Sequence, residues 1–435
     1  MTTSTQAPTR IDQATLGELQ FSKWRLPNGL EVILAPDAHA KAVAYTTWFR
    51  VGSRNENEPA GETGLAHLFE HLMFTQTASA NDGDFDLRME AAGGASNAMT
   101  DVDFTAYINV VPPTELDLAA SLEADRMHNL ALRPKQIETE RQVVIEERLA
   151  TVEDSVDGRL DELITAAAYR THPYRWPVIG YMDHIKKVSQ KAVQRFYKTH
   201  YAPNNAVIIV AGKFDPQAAL DTVVQRYGAL SPSPIQPPAA VTEQAPVAAH
   251  RDVIEWPVPA DKFALALGAP ALGHADRPAF DVLDAILSTG PSSRLNRAMV
   301  VDGEMASSAD CQVGPTRENG LYVFWVQMRK GHNAAAGEAV IAKLIKELAT
   351  KPVPADELAR AKNKLQMDFW TGLAGSEGRA EQLGMYEIGS GSFKTLFSRA
   401  EQYERVTADD VMRVANTYLL SRPAVVAVAT PTKTQ

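Results

Sequence analysis

The sequence predicts an α+β protein built from two homologous halves, each a largely antiparallel sheet packed with helices. Segments typical of strands and of helices are mixed without strict alternation within each half. A helix followed by a buried strand also occurs twice, at a constant spacing of 218 residues. At 435 residues the chain is too long for one ordinary hydrophobic core, which agrees with a division into two parts.

The repeat is clearest where an amphipathic helix precedes a short strand rich in valine. One copy leads into a strand at 207–212 and the other into a strand at 425–429. Ser189 and Thr407 are the expected N-caps of the two helices. A constant offset over about twenty residues indicates a duplication. The positions that match are Val188 and Val406, Val193 and Val411, Arg195 and Arg413, Thr199 and Thr417, and Ala206 and Ala424.

A proline-rich segment at 231–249 is the expected linker between a first half at 1–230 and a second half at 250–435. In the first half we expect strands at 30–35, 42–51 and 104–111, and a helix at 62–74. Thr114 and Asp117 resemble a capping box that would open a further helix ending near Leu130.

Composition excludes several classes of function. Apolar residues make up 45% of the chain and charged residues 22%, which are values typical of a globular protein. The net charge is −10 and no basic run occurs, so we expect neither nucleic acid nor an anionic membrane as partner. Cys311 is the single cysteine, so neither an intrachain disulfide nor a thiolate metal cluster is possible.

The sequence leaves the compartment open. No apolar run approaches the roughly 18 residues of a membrane span. The first residues are polar and lack the apolar core of a signal peptide. We expect a soluble protein, and the sequence does not decide between periplasm and cytoplasm.

The most informative motif is His67-Leu68-Phe69-Glu70-His71. Two histidines four residues apart lie on one face of a helix, and Glu70 shares that face. Two imidazoles with an open coordination position can hold a hydrolytic zinc, and a free carboxylate beside them can accept a proton. The order H-x-x-E-H is the inverzincin signature. The alternative is a helix with two histidines that serve only structure.

A catalytic zinc needs a third protein ligand, and the helix predicted at 138–149 offers one. Glu140 and Glu147 are seven residues apart and share a face that is otherwise apolar. The alternative is a solvated helix in which Arg141 and Arg148 are the partners of these carboxylates. Spacing alone does not separate Glu147 from Glu146.

Several segments together resemble the pitrilysin, insulinase and mitochondrial-processing-peptidase family of zinc peptidases. The resemblance extends over nearly the whole chain, from about Leu26 to Tyr418. The segments that carry it are 64–74, 93–100 with Asp103 and Thr105, 140–147, and 172–180.

This resemblance implies that His67, His71 and Glu147 bind one zinc ion, which ligand type favours over manganese or cobalt. It also implies that Glu70 acts as the general base and that Glu140 orients a ligating histidine.

The same resemblance implies a strand that binds the substrate. Asn97 and Ala98 match the family's edge segment, which pairs with a bound peptide as an added strand. The alternative for Asn97 is a turn residue between Gly94 and the strand at Phe104.

One departure from the family concerns the second half. Residues 292–295, Ser-Ser-Arg-Leu, resemble an element after which complete members carry an arginine and a tyrosine that stabilise the oxyanion. Here those positions are Val300 and Ser307. We therefore expect a heterodimer in which a homologous subunit supplies the pair, the two closing as clam-like shells around a chamber. The alternative is a homodimer in which Arg294 or Arg297 takes over.

The resulting prediction is a zinc endopeptidase that cleaves peptides or unfolded segments inside the chamber. The competing interpretation is a non-catalytic scaffold or assembly subunit of the same fold. A metal sensor would need a closed site with four protein ligands, and the sequence offers no fourth.

Overall fold

The computed structural model describes residues 7–235, 241, 243 and 245–432. Within these ranges the strands are β1 (Thr9–Leu16), β2 (Leu19–Arg25), β3 (Glu31–Pro36), β4 (Val43–Phe49), β5 (Ala95–Thr100), β6 (Thr105–Val111), β7 (Ala206–Gly212), β8 (His250–Trp256), β9 (Lys262–Ala269), β10 (Ala306–Val313), β11 (Gly320–Met328) and β12 (Val425–Pro431).

The α-helices of the same ranges are α1 (Leu65–Leu72), α2 (Asp84–Ala91), α3 (Leu116–Asn129), α4 (Pro134–Arg148), α5 (Val156–Ala168), α6 (Met182–Lys187), α7 (Gln190–His200), α8 (Pro216–Tyr227), α9 (Arg277–Ser288), α10 (Arg294–Asn296), α11 (Ala334–Thr350), α12 (Ala355–Ala374), α13 (Ser376–Gly389), α14 (Lys394–Arg405) and α15 (Ala408–Val414). None of these helices has the length and apolar character needed to cross a lipid bilayer.

The strands form two sheets, and both are largely antiparallel. The first has the order β1-β2-β3-β7-β4-β6-β5, in which β3 and β7 are the parallel pair. The second has the order β10-β11-β9-β12-β8, in which β12 and β8 are the parallel pair. Strands β4 and β7 are buried along their whole length, as their valine-rich and aromatic sequences predict. The predicted α+β class with two sheet-and-helix halves is confirmed.

The duplication is visible in the topology. Read from the parallel pair outward, β3-β7-β4-β6-β5 of the first sheet corresponds strand for strand to β8-β12-β9-β11-β10 of the second. Helices α3 and α11 begin 218 residues apart, at Leu116 and Ala334. The predicted N-caps are confirmed, because Ser189 accepts a hydrogen bond from the N–H of Ala192, and Thr407 accepts one from that of Asp410.

The chain divides into two compact units that exchange one helix each. The first unit consists of Met1–Arg148, Pro177–Ala239 and Thr371–Ile388, and the second of Leu149–Trp176, Ala240–Trp370 and Gly389–Gln435. Helix α5 therefore belongs to the second unit, where it packs on β9 and β12. Helix α13, its equivalent at the 218-residue offset, belongs to the first.

The exchanged helix α13 is held closely by the first sheet. Its Glu387 pairs with Lys23 of β2 at 2.7 Å, and its Arg379 pairs with Asp37 at 3.0 Å. A Cβ atom at Gly384 would overlap the indole of Trp48, so glycine permits this close approach. The predicted halves 1–230 and 250–435 differ from the units in the two exchanged segments. The predicted linker 231–249 lies partly outside the described residues, and the boundary itself stays a prediction.

The predicted start of one helix was wrong in detail. Thr114 and Asp117 form no capping box, because residues Pro113–Glu115 form a separate short turn ahead of α3. The Thr114 hydroxyl donates instead to Glu115, and Asp117 pairs with Arg226 at 2.6 Å.

Candidate metal centre

Helix α1 carries the H-x-x-E-H motif and is anchored at both its apolar face and its N-terminus. Leu68, Phe69 and Leu72 are fully buried. The helix begins after Gly64, which has φ 90° and no side chain to cap it. Glu56, itself buried, supplies the missing acceptor: its carboxylate receives the N–H of Gly64 at 2.9 Å and that of Ala66 at 2.8 Å.

A second anchor lies at the middle turn of α1. The hydroxyl of Tyr107, on β6, donates to the carbonyl oxygen of Phe69 at 3.0 Å. The Tyr107 ring is covered by the guanidinium of Arg126, which lies 4.2 Å from the ring centroid and is itself paired with buried Glu123. These contacts fix the rotation of α1, and with it the direction in which His67 and His71 point.

The two histidines meet one carboxylate of α4. His67 Nε2 lies 3.6 Å from Oε1 of Glu147, and His71 Nε2 lies 3.3 Å from its Oε2. One nitrogen of each ring and one Glu147 oxygen lie within 4.8 Å of one another. On the other side of the His71 ring, Nδ1 lies 3.6 Å from Oε2 of Glu140. The structure thus brings together four of the five residues predicted on α1 and α4, namely His67, His71, Glu140 and Glu147. The fifth, Glu70, lies on α1 between the two histidines and is half-buried.

The spacing of these atoms fits a tetrahedral zinc ion. Zinc bonds to histidine nitrogen and carboxylate oxygen are close to 2.1 Å, so neighbouring ligands of a tetrahedral ion are about 3.4 Å apart. The two separations between histidine nitrogen and Glu147 oxygen bracket that value. The His67 side chain is 12% exposed and that of Glu147 38%, so the site is reachable from solvent on the Glu147 side. Two nitrogens and one oxygen with an open side are the donor set of a catalytic site.

The charges around the imidazoles differ. Burial opposes a charge on His71, but the carboxylates of Glu140, Glu147 and Glu70 outweigh it and raise the pKa of His71 to about 9. Burial lowers the pKa of His67, with the neighbouring His71 acting in the same direction. The hydrogen bond from His71 lowers the pKa of Glu147. The site is therefore organised around negative charge that a proton on His71, or a cation, balances.

The structure distinguishes Glu147 from Glu146, which the spacing of the sequence does not. Glu146 is exposed, whereas Glu147 faces the histidines. Arg141 pairs with Glu138, and Arg148 donates to the carbonyl oxygen of Gly180 at 2.7 Å. The contacts of Glu147 with both histidines favour the metal-site interpretation of this face over a helix whose carboxylates only face solvent.

The predicted peptide-binding residues lie on an edge strand. Asn97 and Ala98 are in the middle of β5, paired with Ile108 and Tyr107 of β6, so Asn97 is not a turn residue. No strand pairs with the other side of β5 within the described ranges. Strand β5 also packs against α1, which places this open edge next to the helix that carries His67 and His71.

In the second half, the two candidate arginines have partners of their own. Arg294 forms two hydrogen bonds with Glu357, at 2.9 and 2.6 Å. Arg297 pairs with Asp302 at 2.8 Å. Ser307 lies at an irregularity of β10, where its hydroxyl donates to a backbone carbonyl.

Glu56 and Tyr107 hold α1 in place but were not among the residues predicted from the sequence. A signal for Glu56 existed, because a helix that begins after glycine has no side-chain cap of its own and needs an acceptor from elsewhere. In the sequence, Tyr107 is an ordinary residue of a predicted buried strand, and no pattern predicts its hydrogen bond to α1.

Comparison with known proteins identifies the family of this fold. A family model described as "Insulinase (Peptidase family M16)" matches residues 31–181, and one described as "Peptidase M16 inactive domain" matches residues 187–365. Zinc protease PqqE of Helicobacter pylori is 30% identical over 403 residues, covering 90% of this chain and 89% of that protein. The chain belongs to the insulinase family, peptidase family M16.

Two further relatives extend the comparison. The beta subunit of the mitochondrial-processing peptidase of Blastocladiella emersonii is 25% identical over 423 residues, covering 93% of this chain and 87% of that protein. The crystal structure of a protease from Helicobacter pylori superposes with a TM-score of 0.89 at 28% identity, covering 98% of this chain and 100% of that one.

Proposed function

We propose that this chain is the zinc-carrying subunit of an endopeptidase that cleaves peptides or unfolded segments. The observation that supports it most is the convergence of His67, His71 and Glu147, with Glu140 behind the ring of His71. Relatives named zinc proteases support the class of reaction.

Each residue of the site has a distinct task in this proposal. His67, His71 and Glu147 would hold a zinc ion, which would supply a water activated for attack on a peptide carbonyl. Glu70 would accept a proton from that water and deliver it to the leaving amine. Its charge already acts on both imidazoles, because it favours the protonated form of each. Glu140 would hold His71 by Nδ1 and so leave Nε2 available as the ligand atom.

The open edge of β5 is the proposed place for the substrate backbone. A peptide added there as a strand is held by main-chain hydrogen bonds, so its side chains are recognised only weakly. Asn97 and Ala98 are the residues of β5 that would pair with it. The expected substrates are therefore extended peptides of varied sequence.

A homologous partner subunit completes the site in this proposal. Val300 cannot donate a hydrogen bond, and Ser307 is too short to replace a tyrosine. Arg294 and Arg297 are held by Glu357 and Asp302, which disfavours the homodimer in which one of them takes over. One relative is named as the beta subunit of a peptidase, and a beta subunit works together with at least one other subunit.

The competing function is a scaffold or assembly subunit without catalysis. The substitutions at Val300 and Ser307 favour it, since they leave the chain without oxyanion donors of its own. Retention of both ligands and base on α1 favours the peptidase, because a scaffold has no physical need for Glu70 beside His67 and His71.

The deciding experiment measures zinc content and peptide hydrolysis together. The chain is loaded with zinc and assayed alone and with a homologous subunit that carries the arginine and tyrosine. We expect one zinc per chain, hydrolysis in the mixture, and retained zinc without hydrolysis in E70Q. The matched control E146Q changes an exposed carboxylate of the same site region and should behave as wild type. A chain that never retains zinc rules out the peptidase, and full activity of the chain alone rules out the partner.

A further inference from the structure

A cavity in the second unit occupies the place that the metal centre occupies in the first. It lies between α9 and α12 and has a volume of about 380 Å³. At the 218-residue offset, His67 and His71 correspond to Ala285 and Thr289, and both of these residues line the cavity. Small side chains have replaced two imidazoles, and the space has not been refilled by neighbouring side chains.

The lining of the cavity combines an apolar floor with a cationic rim. Ala285, Ile286 and Ala361 are the apolar lining, and all three are buried. Arg360 and Lys364 lie one helical turn apart on α12 and line the same cavity. Each has an acidic partner four residues away on its own helix, but these ion pairs are exposed and hold their cations weakly.

A buried hydroxyl in the lining has no partner. Ser293 is 4% exposed, and its hydroxyl oxygen has no hydrogen-bond partner within the described part of the chain. The neighbouring Arg294 and Glu357 neutralise each other through two hydrogen bonds. The charge left on the lining is therefore that of Arg360 and Lys364. A buried hydroxyl without a partner is costly, and a ligand oxygen would remove that cost.

We propose that this pocket binds the C-terminal residue of a peptide, with an apolar side chain on the floor and the free carboxylate near Arg360, Lys364 and Ser293. An inorganic anion would use the rim and the hydroxyl but would leave the apolar floor exposed to water. A peptide end with an apolar side chain satisfies both parts of the lining. The inference goes beyond the proposed hydrolysis, because it involves neither the metal nor Glu70.

The test measures binding without cleavage. A short fluorescein-labelled peptide that ends in leucine is titrated with the full-length E70Q chain, and anisotropy is recorded. The same peptide with an amidated C-terminus is the matched ligand, so binding at other places cancels in the comparison. We expect the free acid to bind about tenfold more tightly than the amide, since one charge-assisted contact is lost.

Substitutions in the rim locate the site. The double variant R360Q/K364Q, in the E70Q background, should bind the acid only as tightly as the amide. R405Q is the matched control, because Arg405 also pairs with a carboxylate four residues away on an exposed helix face. S293A should weaken binding of the free-acid peptide and leave binding of the amide unchanged. A361L fills the apolar floor, so it should weaken binding of the leucine peptide more than binding of a peptide that ends in glycine.

Three results would overturn the proposal. The first is equal affinity for the acid and the amide peptide. The second is a loss of affinity in R405Q as large as that in R360Q/K364Q. The third is displacement of the labelled peptide by inorganic phosphate at a concentration no higher than that needed with unlabelled peptide. Zinc content and hydrolysis are measured on the parent chain, so failure of the pocket and failure of the proposed peptidase remain distinguishable.

Discussion

Tyr107 donates its hydroxyl proton to the carbonyl oxygen of Phe69, so a strand of the first sheet fixes the turn of α1 that lies between the two histidines. The same carbonyl also accepts from the N–H of Met73 within the helical segment. The bond from Tyr107 is therefore an additional constraint on the orientation of α1, and its removal leaves the helix itself intact.

The variant Y107F tests this constraint. Loss of one buried hydrogen bond should lower the free energy of unfolding by about 1 kcal/mol, and zinc affinity should fall with it because α1 is held less firmly. Urea titration and zinc competition with a chelator measure the two effects. Y403F, which removes a hydroxyl bonded to Asp281 in the second unit, should lower stability without changing zinc affinity. Equal zinc affinities of Y107F and wild type would contradict the prediction.

The cap supplied by Glu56 should matter more. In E56Q the side chain keeps its shape, but one of its two acceptor oxygens becomes an NH₂ group facing a backbone N–H. We expect a loss of about 1–3 kcal/mol in the free energy of unfolding and weaker zinc binding. E18Q, on an exposed turn of the first unit, is the control for loss of one charge and should leave both quantities unchanged. A stability of E56Q within the error of wild type would contradict the role as a cap.

Glu140 should tune metal affinity while leaving the ligands in place. E140Q removes the negative charge behind His71, and zinc affinity should fall about 10–100-fold. E138Q changes an exposed glutamate of the same helix and should bind zinc as wild type does. Chelator competition measures both, and unchanged affinity of E140Q would show that His71 is oriented by other means.

Zinc uptake should release a proton at neutral pH. In the metal-free chain the carboxylates around His71 raise its pKa to about 9, so the imidazole is protonated at pH 7 and must lose that proton to bind zinc. The stabilising effect of this charged histidine is complete below its unfolded pKa and is lost as the pH rises through about 9. Zinc affinity should therefore increase with pH up to about 9.

Calorimetry measures this proton release directly. Zinc is titrated at pH 7 in two buffers with different ionisation enthalpies, and the difference gives the number of protons released. We expect about one per zinc, and zero would contradict protonation of His71 in the metal-free chain.

The exchanged helix offers a test of packing in the first unit. A methyl group at Gly384 would overlap the indole of fully buried Trp48, so G384A should cost about 1–3 kcal/mol in the free energy of unfolding. G375A, at a position where a Cβ meets no neighbour, is the control and should have little effect. A similar stability of both variants would show that α13 is held loosely.

Most strands and helices could be predicted from the local sequence pattern. The exchange of α5 and α13 between the two units could not. The strand at 207–212 and the caps Ser189 and Thr407 follow from residue type and spacing, and the structure has them as expected. The 218-residue offset identifies α5 and α13 as equivalents, but it carries no information on which sheet each one covers. That choice depends on long-range packing, such as the contact of Gly384 with Trp48, which a sequence does not display.

The residues that converge at the candidate site were predictable from the sequence, and the residues that support them were less so. Helical periodicity puts His67 and His71 on one face, whereas the choice of Glu147 over Glu146 required the resemblance to a family. The capping box expected at Thr114 failed because Pro113 begins a short turn there. Glu56 is eight residues before Gly64, so no periodic pattern connects it to α1.

The reciprocal placement of α5 and α13 means that the polypeptide cannot be cut at its proline-rich middle into two autonomous proteins. Either fragment would lack a helix that its own sheet requires and would carry a surplus helix whose apolar side has no cover.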